Sequence, residues 1–145
     1  MKIAAKFTPA QVSKILIEKV ARIETAILED LKFIGETFVR DARNGDTYKD
    51  QTGNLRSSIG YYILKDGKKI YSFFPGDKST GKAKGIEAAE KIAAKHPQGY
   101  ALIVVAGMFY AAAVESKGYN VLTVQSFKAI DDINNMVARL KSKIK

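Results

Sequence analysis

The sequence has no cysteine and no tryptophan, and only one histidine and three prolines in 145 residues. Without cysteine there is no disulfide, no thiol chemistry and no cysteine–zinc site. A single histidine removes the His–Cys pair and the multi-histidine metal site, and His96, beside Pro97, reads as a helix end. Carboxylates are sparse and scattered, and Asp131-Asp132 read as first-turn residues of a last helix, favoured there by its dipole. No apolar run approaches the roughly 20 residues needed to cross a bilayer. The start, Met1 to Phe7, lacks the continuous apolar core of a signal peptide, so the expectation is synthesis and retention in a cytoplasm until assembly. No catalytic residue, cofactor or metal ligand is expected.

What is present describes an ordinary folded chain. Apolar residues make up 46% and charged residues 27%, the balance of a globule, and the length suits one domain spanning 1–145. The unusual bulk property is a formal net charge of +9. It favours an acidic partner: nucleic acid, anionic lipid or an acidic protein surface. Lysines cluster at Lys65, Lys68 and Lys69, at Lys78, Lys82 and Lys84, and at Lys141, Lys143 and Lys145. No recognition motif accompanies them, so solvated faces are the stronger reading over a dedicated nucleic-acid site.

Thr8-Pro9-Ala10-Gln11 is a helix start, with Thr8 as cap, Pro9 at the first helical position and Gln11 closing a capping box. The stripe Val12, Leu16, Val20, Ile23, Ile27, Leu31, Ile34, Phe38 then steps by three and four residues, one face of a helix over about 9–43. Arg43-Asn44-Gly45-Asp46 stops it. Such a helix is about 50 Å long, against a radius of gyration of about 15 Å for a domain of this size. Either it kinks near Gly35 or part of its stripe, Leu16 and Val20 above all, stays uncovered and seeks a partner. A β-rich middle follows over about 55–115. Leu55 to Leu64 and Ile70 to Phe74 read as strands joined by an Asp66-Gly67 turn, with Tyr61, Tyr71 and Phe73 packed under the long helix. Pro75 to Gly85 reads as a loop, and Ile86 to Lys95 as a short helix with Ile86, Ala89, Ile92 and Ala93 inward. Tyr100 to Ala106 is a buried strand, and Phe109 to Glu115 is a strand or a helical turn. A C-terminal helix over about 124–143 turns Phe127, Ile130, Ile133, Val137 and Leu140 inward. The class is α+β, two helices packed on a small, mostly antiparallel sheet.

Gly76-Asp77-Lys78-Ser79-Thr80-Gly81-Lys82 matches most of a phosphate-binding loop, but Ala83 stands where a Mg²⁺-ligating hydroxyl is needed and no parallel βαβ sheet is available. A flexible basic loop explains it better. The hairpin aromatics could stack bases, yet neither strand carries the RNA-motif consensus.

Asp50-Gln51-Thr52-Gly53-Asn54-Leu55-Arg56-Ser57-Ser58-Ile59 resembles a segment of the small neck and tail-completion proteins that join head to tail in tailed bacteriophages and prophages. Tyr110-Ala111-Ala112-Ala113-Val114-Glu115, with Gly118 after it, stands in the order that family shows. The resemblance covers nearly the whole chain in element order. It departs at Glu115-Ser116-Lys117-Gly118, where the family usually has Glu-Phe-Gly-Thr, at the proline-free Val121 to Val124, and in the lysine-rich Gly76 to Gly85. It implies a non-enzymatic structural protein of the virion, assembled in the host cytoplasm, that forms a homo-oligomeric ring and docks to other head and tail proteins. It marks Thr52, Gly53, Asn54, Leu55, Arg56, Tyr110, Glu115 and Gly118 as motif residues; by charge, Arg56 and Glu115 are either a pair across the sheet that fixes strand register or two separate surface charges. Leu16, Val20, Lys78, Lys82 and Lys84 are the expected interaction surfaces. DNA contact through the lysines is open, and a small basic nucleic-acid-binding protein is the alternative.

Overall fold

The computed structural model describes residues 8–45 and 47–144. The chain start read above as lacking a signal peptide, Asp46 of the helix stop and Lys145 of the last lysine cluster lie outside them.

Helix α1 runs Pro9–Asn44 without interruption. Its start is the expected capping box: the Gln11 amide donates to Thr8 Oγ1 at 3.1 Å and the Thr8 amide to Gln11 Oε1 at 3.0 Å. A single helical turn α2 (Asn54–Ser57) leads into β1 (Ile59–Lys65) and β2 (Lys68–Phe73). Then come α3 (Ser79–Ala93), β3 (Tyr100–Ala106), α4 (Ala111–Ser116) and α5 (Thr123–Ile144). The sheet is antiparallel in the order β2-β1-β3. The β1–β2 turn has positive φ at both central residues, Asp66 at 50° and Gly67 at 79°, the geometry that matches strand twist.

Side-chain alternation along β1 divides the core into two layers. Ile59, Tyr61 and Ile63 face α1 and α5, together with Leu31, Ile34 and Phe38. Tyr62 and Leu64 face α3, with Phe74, Ala89, Ile103 and Val105. Covered on both sides, β1 is buried from Ile59 to Leu64, so it is apolar without a polar phase. The expected packing of Tyr61, Tyr71 and Phe73 under α1 is present; the Tyr61 ring lies 5.9 Å from each of the other two.

Several local expectations change. Leu55 to Ser57 is helical, because Asp50 holds the amides of Gly53 and Arg56 and starts a turn there. The segment read as a loop to Gly85 is helical from Ser79, since Gly81 and Gly85 pack inward and extend the helix backwards; Ile92, expected inward, is 36% exposed. Of the two readings left open for Phe109 to Glu115, the helical one holds: α4 occupies Ala111–Ser116, with Phe109 and Tyr110 in the turn before it. On α5 the inward face is turned: Ala129 and Met136 are buried, with Ile133 and Leu140 beside them, while Phe127, Ile130 and Val137 face outward. Because α5 starts at Thr123, Asp131-Asp132 sit in its third turn and gain nothing from its first-turn amides.

Arg139 pairs with Asp30 at 2.8 Å and Lys128 with Asp41 at 3.7 Å, which sets α5 antiparallel to α1. Extending that register brings Ile144, the end of α5, beside Thr25. The Lys65–Glu24 ion pair puts the hairpin end at the same level. Beyond it, every residue of α1 from Pro9 to Arg22 is exposed.

At Gly35 an added methyl would meet the Tyr61 ring at 2.8 Å. Gly35→Ala improves helix propensity by about 1 kcal/mol. It also overpacks against a fully buried ring, which costs about 1–3 kcal/mol. The expected outcome is a net loss of stability in urea unfolding; a gain would show that the Tyr61 ring moves freely.

Candidate functional site

The motif segment Asp50 to Ser58 is a junction at which side chains satisfy backbone groups of several elements. Both Asp50 carboxylate oxygens are taken, by the Gly53 amide at 3.1 Å and the Arg56 amide at 2.8 Å. Thr52 Oγ1 accepts from the Asn54 amide at 3.3 Å. Gly53 has φ of 76°, which the turn into α2 demands. Asn54 Oδ1 accepts from the Gly81 amide at 3.1 Å and Ser57 Oγ from the Lys78 amide at 3.2 Å, so α2 caps α3. Ser58 Oγ accepts from the Met108 amide at 3.3 Å, and the Ser58 carbonyl from Gly107. Leu55, 1% exposed, anchors the turn in the core.

Glycines allow this close approach. A methyl on Gly81 would lie 2.2 Å from the Asn54 carbonyl oxygen, and one on Gly85 2.4 Å from that of Ser58. The near phosphate-binding pattern is thereby explained as packing, and two amides that would cradle a phosphate are already bonded by Ser57 and Asn54.

The expected Arg56–Glu115 pair does not form. Arg56 donates from Nη2 to the Gly45 carbonyl, accepts Arg43 on its own carbonyl at 3.2 Å, and lies 4.9 Å from the Tyr48 ring centre. It ties the end of α1 to α2. Burial pushes the Tyr48 hydroxyl above its ordinary range, and the Arg56 charge only partly offsets this. Glu115 instead serves the start of α5: its Oε1 accepts the amides of Val121 at 2.9 Å, Leu122 and Thr123 at 3.1 Å, and its Oε2 accepts the Thr123 hydroxyl at 3.0 Å. Burial raises the Glu115 carboxyl, but the hydrogen bonds from Leu122, Thr123 and Val121 outweigh it, and the net shift is downward. Gly118, φ 88°, ends α4 by donating to the Glu115 carbonyl at 3.0 Å.

The two motif segments do meet. A cavity of about 280 Å³ has Thr52 and Leu55 on one side and Tyr110 and Val114 on the other. A second, of about 730 Å³, opens among Tyr48, Asp50, Arg56, Val114 and Lys117. Asp50 lines both cavities and accepts one amide on each carboxylate oxygen. Among the described residues no three His, Cys, Asp or Glu side chains are grouped to hold a metal. No described helix is long and apolar enough to cross a membrane.

The residues expected as interaction surfaces are exposed. Leu16 and Val20 are 57% and 53% exposed on the free part of α1. Lys78, Lys82 and Lys84 are exposed at the start of α3, where only Lys84 has an acidic partner among the described residues, Glu87 at 3.2 Å. Asp50, Ser57 and Ser58 were not marked by the sequence reading as positions on which the fold turns; the spacing of Asp50 before Gly53 is the signal that marks such a turn. Phe109, 91% exposed, was also missed. No family, curated protein or solved structure matches this chain.

Replacing Glu115 with Gln tests its capping role. Because its folded pKa is depressed, its contribution is fully present above the ordinary value of 4.5 and is lost as pH falls through the lower folded value. Glu115→Gln is expected to destabilise by about 1 kcal/mol at neutral pH. The difference from the unsubstituted chain should shrink in acid below pH 4.5. An equal deficit at all pH values would mean that charge is not what matters there.

Proposed function

We propose that this chain is a non-enzymatic assembly protein of a tailed phage or prophage, a self-associating ring component of the head–tail connector that ends in the virion. The observation that supports this most is the free part of α1, which carries its apolar stripe beyond the last layer able to cover it. Val12, Leu16 and Val20 continue the face that Leu31, Ile34 and Phe38 bury within the domain. Full burial of one such side chain stabilises by about 1.5–3 kcal/mol, so a partner chain gains from covering it. The likeness of Thr52 to Arg56 and of Tyr110 to Glu115 to the neck-protein pattern adds the phage setting. Those residues build the fold, so function on this reading resides in surfaces and not in a reactive side chain.

The lysines of α3 are the second contact surface. Cations at a helix N-terminus oppose its dipole, and the Lys84–Glu87 pair that charge reversal breaks is solvent-exposed and contributes little, so the gain at the helix start offsets its loss. Lys78→Glu with Lys82→Glu and Lys84→Glu should unfold at the same denaturant concentration as the parent chain or a higher one. In a complementation assay the expected defect is full heads and finished tails that fail to join, with docking of the parent chain weakened similarly by salt. Normal virions would remove this surface from the joining role, and failure to form heads would overturn the reading. Tight, steeply salt-dependent DNA binding alongside normal joining would favour the nucleic-acid-binding alternative.

A further inference from the structure

Two apolar helix surfaces of this chain lie uncovered at opposite ends of the domain. One is the free part of α1, with Val12, Leu16 and Val20 at four-residue spacing. The other is the first half of α5, where Val124, Phe127 and Ile130 are 61%, 65% and 55% exposed. Lys128 pairs with Asp41, so the α5 patch lies near the C-terminal end of α1. Leu16 and Asp41 are separated along one unbroken helix by about 38 Å. A copy therefore cannot lay its own free segment on its own patch, and only another copy's segment can reach it.

The charges around the two surfaces are complementary. Lys14, Lys19 and Arg22 stand on the free segment with Glu18 as its one acid, and none of them forms an ion pair among the described residues. Beside the α5 patch are Asp131 and Asp132, which likewise have no cationic partner among the described residues. Asp131 is exposed and adjoins Ile130. Two helix faces with three- and four-residue apolar spacing pack by setting ridges into grooves.

Resting on the self-assembly reading above, we propose that the free segment of α1 in one copy docks on the Val124–Ile130 face of α5 in the next, with its cations against Asp131 and Asp132. The contact is heterologous, since each copy offers a different surface at each end. It repeats from copy to copy and closes into a ring when the rotation permits.

Leu16→Asp removes the donor surface and Phe127→Asp the acceptor, both at positions exposed in the single chain. Sedimentation velocity on the full-length protein is expected to show oligomers for the parent chain and monomers for each variant alone. An equimolar mixture of the two should form a dimer and nothing larger, because one intact donor meets one intact acceptor. Asp131→Lys with Asp132→Lys should raise the concentration needed for assembly at least tenfold, and Lys14→Glu with Lys19→Glu in the same chain should restore it. This rescue is independent of any folding defect in Phe127→Asp. A parent chain that assembles while Phe127→Asp assembles equally well would overturn this contact and leave self-assembly standing. A symmetric contact between two α1 segments would give that result. A mixture that stays monomeric, or an absent rescue, would overturn it too. A parent chain monomeric at every concentration would defeat self-assembly itself.

Discussion

Asn54 holds the Gly81 amide in the first turn of α3 and Ser57 the Lys78 amide just before it, while Ser58 holds the amides that follow β3. A helix start leaves several amides without partners, and leaving one buried and unmet costs about 1–3 kcal/mol. Here one turn of chain supplies acceptors for two separate elements, and Asp50 in turn holds that turn. The close packing this needs is available only where side chains are missing, at Gly81 and Gly85. Through these contacts α3 is set on one face of β1, and Arg56 and Arg43 tie the other side to the end of α1.

Length supplies the second constraint. The sheet and α5 together cover α1 from about Ile23 onward, and the part before that has no layer beside it. The same apolar spacing runs through both parts. Inside the domain it builds a core, and outside it forms a surface that water meets unfavourably. α5 has a related property, because its inward face is narrow and centred on Ala129 and Met136. Small and flexible side chains let α5 approach α1 closely, and the larger Phe127 and Ile130 are left facing out.

The motif residues hold the fold together, and the surfaces proposed for contact are formed by exposed side chains. Glu115 and Asp50 are carboxylates that accept backbone amides, Glu115 at the start of α5 and Asp50 at the turn into α2. The free part of α1 stands away from that junction, whereas Lys78 joins it through its backbone amide and exposes its side chain beside it.

The α+β class, the capping box at Thr8 and Gln11, the long helix, the Asp66-Gly67 hairpin and the strand at Tyr100 were legible in the sequence. Each is written in local chemistry: spacing of apolar residues, turn residues, β-branched and aromatic runs. The excess length of α1 was legible too, by comparing its extent with the size of a domain. Tertiary structure alone decided what could not be read locally. Arg56 and Glu115 carry opposite charges, yet each found backbone groups across the fold, since helix ends and loop carbonyls compete with ion pairing. The phosphate-loop pattern became a packed helix because Asn54 and Ser58, distant in sequence, lie against its glycines. α5 carries apolar residues around more than half its circumference, so periodicity could not choose its inward face; the position of α1 chose it, and with it which side chains remained exposed.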